Sequence, residues 1–366
     1  HANYIFRKIL MLNIISPINQ LGYGIAGLNI VKELDKIAPV SLFPIGQPTV
    51  TSQDDYDILT ETIRNSKMPN YEAPCLRIWH QHDMSQFVGN SIKAGFPIFE
   101  LDKFNDMEKH HLSHPDKVFV CSQWAKDIII DQINISSNDV HIAPLGVDTN
   151  LFPEVSLDNE DRDGTIFFNC GKWEVRKGHD VLPDIFNKAF TPSDNVELWM
   201  MCENPFVQGE EKMKWIDKYK STPMGDKIRI LDRVETQAEV YNIMSTVDCG
   251  VFPSRAEGWN LEALEMMSCG KPIIITDFSA HTEFCTKENS FLIPINSTEK
   301  AVDGKWFHGQ GNWANFGEDQ IEATIEHMRY VHKNKVRTNQ EGVATAKKFS
   351  WRNTAESIMK ALDINV

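Results

Sequence analysis

The sequence has no pair of closely spaced cysteines and no long apolar run. Its seven cysteines are scattered singly, so neither a disulfide framework nor a C-x-x-C zinc motif is expected. Most lie in apolar runs such as VFVCS and FFNCG, which predicts buried, reduced thiols and a cytoplasmic protein. The apolar segment KILMLNIIS is far shorter than the roughly 18 residues that a membrane helix requires. It predicts a first strand rather than an anchor or a secretory signal.

Positive charge is also scarce. The chain has 37 lysines and arginines against 51 aspartates and glutamates, and its formal net charge is −14. A general basic field that would hold nucleic acid is therefore excluded, whereas a local basic pocket for a phosphate is not. Because the sequence has no basic amphipathic helix, we expect no tight attachment to an anionic membrane, and peripheral membrane contact remains open.

Several common catalytic patterns are missing. There is no G-x-S-x-G nucleophile motif. The pair of acids in DDYD (54–57) precedes a helical pattern, so it predicts a helix cap rather than a metal site. His80 and His82 in HQHD lack a second group of ligands. They are interpreted as polar residues at a strand end that line a cleft, and no metal site is predicted.

What the sequence does contain is a regular alternation of short apolar runs and helical patterns. The chain of 366 residues exceeds the roughly 250–300 that one core supports, and the alternation predicts two doubly wound α/β domains. Strands are predicted at Ile9–Ile15, 75–80, 96–101, 117–122, 140–148, 165–171, 196–202, 227–232, 248–253 and 271–277. Helices are predicted from about Ala26 to Ile37, after Ser122, directly after Gly178 and after Ser350.

Domain boundaries follow from a change in composition. The segment PEVSLDNEDRDG (153–164) is acidic and nearly free of large apolar residues, which is typical of a linker. The predicted domains are residues 1–155, 156–349 and a terminal helix at 350–366. The polar, tryptophan-containing segment 303–317 predicts a surface loop, either packed on the second domain or in contact with an acceptor.

The segment GKWEVRKG (171–178) directly follows a predicted strand. It places Lys172, Arg176 and Lys177 where a strand passes into a helix. Lysines and the N–H groups of a helix N-terminus favour anions, so a phosphorylated ligand is indicated. The alternative interpretation is a basic turn exposed to solvent.

The segment EGWNLEALE (257–265) follows another predicted strand. Glu257 lies in the loop and Glu265 on the helix that the loop begins, where a carboxylate can accept from paired sugar hydroxyls. The alternative is that Glu257 caps the helix and Glu265 is solvated. The apolar neighbours Leu264 and Met266 argue against a solvated Glu265.

The turn PINQLGYGIAG (17–27) contains Gly22, Gly24 and Gly27 with the spacing G-x-G-x-x-G. Its position between strand and helix suits dinucleotide binding. No acidic residue ends a second strand about 20 residues later, so a nicotinamide-dependent dehydrogenase is disfavoured.

Together these motifs resemble the retaining sugar-nucleotide glycosyltransferases of family 4, also called group 1, which have the GT-B fold. The segment 253–284 is similar to the family run Pro-Ser-x-x-Glu-Gly-φ-x-Leu-x-x-Leu-Glu, and GKWEVRKG is similar to its diphosphate loop. APLGVDTNLF (143–152) and VFVCSQWAKD (118–127) resemble the end of the family's first domain.

The resemblance implies an α/β protein with two Rossmann-like domains facing a cleft and a terminal helix that crosses back to the first domain. It implies a metal-independent hexosyltransferase that transfers a sugar with retention from a UDP- or GDP-linked donor. No other cofactor is expected. The acceptor, whether sugar, glycan, lipid or protein, is not specified. A non-catalytic sugar-nucleotide-binding protein and a GT-B phosphorylase or epimerase are the alternatives.

The resemblance also assigns roles to residues. Glu257, Lys172 and Lys177 are the implied catalytic residues, with Glu257 holding the donor sugar and the two lysines the diphosphate. The implied donor-binding residues are Gly22, Tyr23, Gly24, Lys172, Lys177, Glu257, Gly258, Trp259, Asn260, Leu261 and Glu265, the last of which would bind ribose.

This sequence departs from the family pattern at two places. The family's histidine in the first domain is absent, and His80, His82, Glu100 and Asp102 are the candidates for its place on the acceptor and sugar side. Asn260 stands where the family has a small residue, which predicts altered contacts to the sugar.

Overall fold

The computed structural model describes residues 11–156 and 163–364. The chain divides into two compact units. Unit 1 is described over 11–146 and 349–364, and unit 2 over 147–156 and 163–348. The beginning of the strand predicted at Ile9 and half of the predicted linker 153–164 lie outside the described residues.

Unit 1 is built on a parallel sheet of six strands within the described residues. The strands are β1 Leu12–Ser16, β2 Val40–Pro44, β3 Cys75–Ile78, β4 Lys93–Phe96, β5 Lys117–Val120 and β6 Val140–Ile142. Their order is β2-β1-β3-β4-β5-β6, with all pairs parallel. Strands that are apolar and buried on both faces require helices on both sides, which confirms the predicted doubly wound organisation.

The helices of unit 1 include the last helix of the chain. They are α1 Gly22–Asp35, α2 Gln53–Asn65, α3 Asp106–Leu112, α4 Gln123–Gln132 and the terminal helix Trp351–Ala361. The terminal helix packs on α1, and the Thr354 hydroxyl donates to the Pro144 carbonyl oxygen at 2.6 Å. A side chain at Gly146 would overlap the backbone at Trp351. The prediction that the final helix returns to the first domain is therefore confirmed.

Three helix starts show the local chemistry that the sequence indicates. Ser122 and Ser350 accept hydrogen bonds from the backbone N–H groups of Ala125 and Asn353, as predicted. Ser52 caps α2 in the same way, so the neighbouring acids of DDYD lie in the first helical turn. Negative charge at that position interacts favourably with the helix N-terminus.

Two predicted boundaries in unit 1 are wrong. Strand β4 ends at Phe96, because Pro97 has no N–H for the ladder, and the predicted strand 96–101 is instead mostly loop. Helix α1 begins at Gly22 rather than near Ala26. Gly24 permits this earlier start, since a side chain there would overlap the backbone of Asn19.

Unit 2 repeats the architecture. Its strands are β7 Thr165–Cys170, β8 Val196–Met201, β9 Ile228–Ile230, β10 Cys249–Phe252, β11 Ile273–Thr276 and β12 Phe291–Ile293, in the parallel order β12-β11-β10-β7-β8-β9. Its helices are α5 Leu182–Ala189, α6 Gly209–Lys220, α7 Gln237–Thr246, α8 Leu261–Ser268, α9 Glu318–Lys333 and α10 Gln340–Lys348. The terminal helix Trp351–Ala361 is accordingly α11. The central strands β7 and β10 lie side by side, so the loops that follow them leave the sheet at adjacent positions.

The segment predicted as a surface loop at 303–317 is largely an antiparallel hairpin. Its strands are β13 Thr298–Val302 and β14 His308–Ala314. Trp313 is buried, while Trp306 at the turn is exposed and contacts the ring of Phe206. The hairpin thus packs on unit 2, one of the two placements that the sequence left open.

The contact pattern divides the two units between Gly146 and Val147, whereas the sequence placed the boundary after residue 155. The Ser268 hydroxyl donates to the Phe152 carbonyl oxygen at 2.6 Å, and the Val155 N–H donates to the Cys269 carbonyl oxygen. These bonds attach the segment 147–155 to unit 2. Across the described residues, no helix combines the length and apolar character needed to cross a membrane.

Candidate functional site

The first loop of the site in unit 2 is 171–178, which leaves the carboxyl end of β7. Both of its glycines have left-handed backbone angles, φ 141° at Gly171 and 74° at Gly178. A side chain at Gly178 would overlap the Pro253 carbonyl oxygen, so glycine allows this loop to pack directly against the end of β10. The helix start predicted directly after Gly178 is wrong: a series of turns follows, and α5 begins at Leu182. Lys177 is therefore not at a helix N-terminus.

The second loop, 253–260, leaves the carboxyl end of β10 and enters α8. Asn260 is the N-cap of α8, and its side-chain oxygen accepts from the Ala263 N–H at 3.1 Å. Glu257 lies in the loop, and Glu265 lies within α8, as the sequence predicted. The two loops are joined by Arg255, whose backbone N–H donates to the Arg176 carbonyl oxygen at 2.6 Å.

Glu257 is the centre of a buried charge network. It is 5% exposed. Its Oε1 accepts from Lys177 Nζ at 2.9 Å and from Ser254 Oγ at 2.9 Å, and its Oε2 accepts from Arg176 Nη1 at 2.7 Å. The Glu257 backbone N–H donates to Ser279 Oγ at 2.9 Å. Both the carboxylate and the main chain of Glu257 are therefore fixed by the surrounding loops.

The network keeps its members charged. Burial by itself raises the pKa of Glu257, but the nearby Arg176 and Lys177 outweigh burial and hold that pKa well below its usual range. Burial lowers the pKa of Lys177, whereas Glu257 raises it, with the net result well above the usual value. A carboxylate and two cations in a buried, hydrogen-bonded cluster form a preorganised electrostatic site. Lys177 and Glu257, which the resemblance implied would contact different parts of the donor, form an ion pair here.

Arg176 is as central to this network as Lys177; it was one of the three cations that indicated a phosphorylated ligand, but the resemblance assigned it no role. Its guanidinium contacts Glu257, the Ala256 carbonyl oxygen at 2.7 Å and Glu174 Oε2 at 2.8 Å. The sequence signal was its position within GKWEVRKG, next to Lys177. Arginine suits this role because its planar group satisfies several acceptors at once.

Lys172 is the least committed cation of the first loop. Its side chain is 39% exposed, and its Nζ lies 3.7 Å from Glu174 Oε1 and 5.8 Å from the centroid of the Phe206 ring. A partly exposed ammonium whose carboxylate partner lies as far away as 3.7 Å can approach an incoming phosphate at little cost. Lys172 therefore fits the predicted diphosphate contact better than the buried Lys177.

Glu265 is a buried carboxyl group of a different kind. It is 8% exposed, and within the described residues its side chain has no hydrogen-bond or ion-pair partner. Burial, with a smaller contribution from Glu262, raises the pKa of Glu265 to about 8. An unsatisfied buried acid on the helix that follows the turn is available to a ligand hydroxyl.

The turn before α8 also presents backbone donors. Within the part of the chain that the structure describes, the N–H groups of Gly258, Asn260 and Leu261 donate to no other residue. Gly258 and Asn260 are buried. Buried N–H groups without acceptors are rare in native proteins, so this cluster indicates a binding site for an anion or a hydroxyl group.

Two buried histidines hold the loops in place, and the sequence did not single them out. The Glu174 N–H donates to His179 Nδ1 at 3.2 Å, so His179 Nε2 carries the proton and donates to Asn169 Oδ1 at 2.8 Å. Burial lowers the pKa of His179 well below its usual value. His281, after β11, contacts Asn260 through Nε2 at 3.0 Å. Both rings connect a loop of the site to a neighbouring strand end.

The predicted site residues of unit 1 gather around the start of α1. Gly22 has open space where a side chain would project. The Tyr23 hydroxyl donates to the Ile98 carbonyl oxygen at 2.7 Å and accepts from the Ile98 N–H at 2.9 Å. The His80 ring lies 4.6 Å from the Tyr23 ring and 5.1 Å from the His82 ring. These residues form one aromatic cluster beyond the carboxyl ends of β1, β3 and β4.

The two acids predicted for unit 1 lie in the loop after β4. Burial is the main factor that raises the pKa of Tyr23 well above its usual value, and the charge of Glu100 adds to this increase. Glu100 therefore lies near Tyr23. The Asp102 carbonyl oxygen accepts from Gln132 Nε2 at 2.8 Å, which connects the loop to α4. Among the described residues, no three His, Cys, Asp or Glu side chains are grouped as metal ligands would be.

Comparison with known proteins agrees with this geometry. Residues 164–304, which contain both loops of the site, match the model of the family described as "Glycosyl transferases group 1". Over these residues the chain is similar to the group 1 glycosyltransferases. The resemblance drawn from the sequence motifs is thereby confirmed.

Individual relatives are more distant. Mannosylfructose-phosphate synthase of Agrobacterium fabrum is 24% identical over 225 residues, which cover 57% of this chain and 48% of that protein, so the match spans about half of the relative's length. A glycosyltransferase structure from Rickettsia africae superimposes with a TM-score of 0.70 at 12% identity, covering 97% of this chain and 98% of the other. The Anabaena protein HepE, solved with UDP and glucose, gives 0.66 at 14% identity, covering 97% and 99%. The fold is that of GT-B glycosyltransferases, as predicted.

Proposed function

We propose that this protein transfers a hexose from a nucleotide diphosphate sugar to an acceptor, with retention at the anomeric carbon and without a metal ion. The observation that supports this most directly is the turn 257–260. It combines a fixed carboxylate at Glu257 with buried, unsatisfied N–H groups at Gly258 and Asn260. The family match supports the same donor class, as do the UDP and glucose with which the Anabaena protein was solved.

The proposed roles follow from the contacts. The N–H groups of Gly258, Asn260 and Leu261, together with Lys172, receive the diphosphate, and Glu265 receives the ribose hydroxyls. When the bond between the anomeric carbon and the diphosphate oxygen breaks, its electron pair remains on that oxygen, and these donors stabilise the growing charge. The acceptor oxygen forms the new bond on the same face, and its proton passes to the departing diphosphate. Glu257 remains ionised throughout and orients the sugar hydroxyls.

The proposal that no metal is needed depends on the donor set. Three cations, Lys172, Arg176 and Lys177, are paired with two carboxylates, Glu174 and Glu257, so the group keeps one net positive charge for the leaving diphosphate, the purpose that a divalent cation serves in other transferases. The acidic side chains near the turn serve other purposes, because Glu257 and Glu174 are paired with these cations. The expected requirement for activity is therefore a nucleotide sugar alone.

Calorimetric titration of the protein with UDP, GDP, ADP and their glucose or mannose conjugates, with and without EDTA, tests the donor assignment. One nucleotide diphosphate should bind equally well with EDTA present, and Lys172→Ala should weaken it by roughly tenfold, the value of one charge-assisted hydrogen bond. Lys214→Ala, on the exposed face of α6, is the matched control and should bind like the wild type. Absence of binding by every nucleotide would overturn the proposal.

Transfer itself is tested by incubating the bound sugar nucleotide with candidate acceptors and following release of the nucleotide diphosphate. Proton NMR of the glycoside then reports whether the anomeric configuration of the donor is retained. An inverted product would refute the retaining mechanism. Nucleotide binding without any turnover would favour a non-catalytic binding protein.

A further inference from the structure

Asn260 has an unusual backbone conformation for a residue with a side chain. Its φ is 93° and its ψ is 78°, in the left-handed region that favours glycine. The resembled pattern has a small residue at this position. A non-glycine residue persists in such a conformation only where the surrounding structure holds it there, and such residues are concentrated at functional sites.

The side chain of Asn260 is held at both ends. It is 6% exposed. Its Oδ1 accepts from the Ala263 N–H at 3.1 Å, and its Nδ2 lies 3.0 Å from His281 Nε2. The amide is therefore held by groups of unit 2. That Asn260 alters contacts to the sugar stays a prediction.

The protons in the contact between the Asn260 amide and the His281 ring can be assigned from the neighbouring groups. His281 Nδ1 lies 3.0 Å from the Thr276 carbonyl oxygen, which can only accept, so Nδ1 carries the proton. The Thr276 hydroxyl donates to the Ser254 carbonyl oxygen at 2.6 Å and therefore accepts from Nδ1 as well. His281 Nε2 is left with a lone pair, which accepts from Asn260 Nδ2.

These bonds continue to the charge network. Ser254 Oγ donates to Glu257 Oε1 at 2.9 Å, and Ser279 Oγ accepts from the Glu257 N–H. The segment 276–281 thus holds the turn 257–260 at both of its ends: through Ser279 at the start and through His281 at the finish. The N–H groups of the turn lie between these two attachments.

We infer that Asn260 and His281 form a positioning pair that fixes the left-handed turn 258–260, so that its backbone N–H groups are directed at the diphosphate of the donor. This inference rests on the proposed function for the identity of the ligand. The pair acts on binding and turnover through the turn, without touching the substrate by its side chains.

The pair is expected to remain unchanged across the working pH range. Burial, which dominates, lowers the pKa of His281 to about 4; the charge of Glu257 opposes this effect, and Lys177 and Arg176 add to it. His281 is therefore neutral between pH 6 and 9 and accepts from Asn260 throughout. A replacement that requires His281 to donate instead would make the turn sensitive to pH.

Asn260→Asp is such a replacement. It keeps the oxygen that caps α8, but it presents His281 Nε2 with an acceptor, so the contact requires a proton on Nε2. The new carboxylate raises the pKa of His281 from its low wild-type value, so the ring takes up that proton as the pH falls. Nucleotide affinity relative to the wild type at the same pH should fall at least tenfold from pH 6 to pH 8. In Asn260→Asp/His281→Gln the glutamine amide donates at every pH, and the relative affinity should become independent of pH. A relative affinity of Asn260→Asp that does not change with pH would overturn the positioning role.

Asn260→Gly separates the effect of the backbone conformation from that of the side-chain hydrogen bonds, because glycine adopts φ 93° readily but makes neither of the two bonds. It should fold and lose roughly tenfold in affinity and in kcat. Affinity and kcat equal to those of the wild type would contradict the inference.

Nitrogen-15 NMR of His281 in the wild type without ligand tests the pair independently of the donor. We expect Nδ1 to be protonated and Nε2 unprotonated from pH 5 to pH 8. A proton on Nε2 at neutral pH would refute the pair, whatever the protein binds. Failure of the wild type to bind any nucleotide would instead refute the proposed function.

Discussion

Replacing Glu265 by glutamine should stabilise the protein and weaken nucleotide binding at the same time. In the folded chain Glu265 is 8% exposed, and burial raises its pKa to about 8. In the unfolded chain the same carboxyl group has an ordinary pKa of about 4.3. Above that value the unfolded state gives up the proton that the folded state retains, so this group contributes stability at low pH that is lost as the pH rises towards 8.

The magnitude follows from the difference between the two pKa values. Each pKa unit corresponds to about 1.4 kcal/mol. Ionisation of Glu265 in the unfolded chain therefore lowers the free energy of unfolding by about 1 kcal/mol at pH 5 and by about 3–4 kcal/mol at pH 7. Glu265→Gln removes the ionisable group and keeps its shape. The variant should therefore unfold at higher temperature than the wild type, with a gain that increases from pH 5 to pH 7.

Calorimetric unfolding of unit 2 at several pH values measures this gain. Glu326→Gln, an exposed substitution on α9, is the matched control and should change the unfolding temperature little at any pH. If Glu265→Gln changed the unfolding temperature equally at pH 5 and pH 8, the idea that burial raises the pKa of this carboxyl group would be refuted.

The same substitution tests the ribose contact. An ionised Glu265 accepts from two hydroxyls, so nucleotide binding at pH 7 should release a proton, and affinity should rise from pH 6 to about pH 8. Glu265→Gln should lose roughly 10- to 100-fold in affinity and abolish the proton release. Titration in buffers of different ionisation enthalpy detects the proton, and an unchanged affinity would refute the assigned role.

Further predictions concern the loops and the charge network. Lys177→Met and Glu257→Gln should each destabilise unit 2 by about 3–5 kcal/mol, because a buried partner is left uncompensated, and a double-mutant cycle should show that the losses are not additive. Gly178→Ala should abolish nucleotide binding through steric overlap. Gly304→Ala is the control and should leave binding intact, because Gly304 also has a positive φ but has open space where a side chain would project. Equal effects of the two substitutions would indicate that backbone strain, and not overlap, is responsible. Because the pKa of His281 is lowered to about 4, its contribution to stability is complete above pH 6.5 and is lost as the pH falls to 4. His281→Gln should therefore make the stability of the protein less dependent on pH in this range, as measured by acid unfolding followed by circular dichroism. An unchanged midpoint of acid unfolding would contradict this.

The order of the elements and the position of the site along the chain can be predicted from the sequence alone. Short apolar runs alternate with helical patterns, and this alternation is local information that each segment displays without its distant neighbours. The segments GKWEVRKG and EGWNLEALE could be located after strands for the same reason. Serine caps such as Ser122 and Ser350 were equally readable, because a cap requires only residues within one turn of each other.

How those segments interact depends on contacts between distant parts of the folded chain. The contact of Lys177 and Arg176 with Glu257 joins positions about 80 residues apart, and nothing in either segment specifies the other. The raised pKa of Glu265 and the lowered pKa of His281 arise from burial by distant parts of the chain, which sequence periodicity does not report. The orientation of Asn260 likewise depends on His281, since a left-handed asparagine is held by the groups that surround its amide rather than by its own preference.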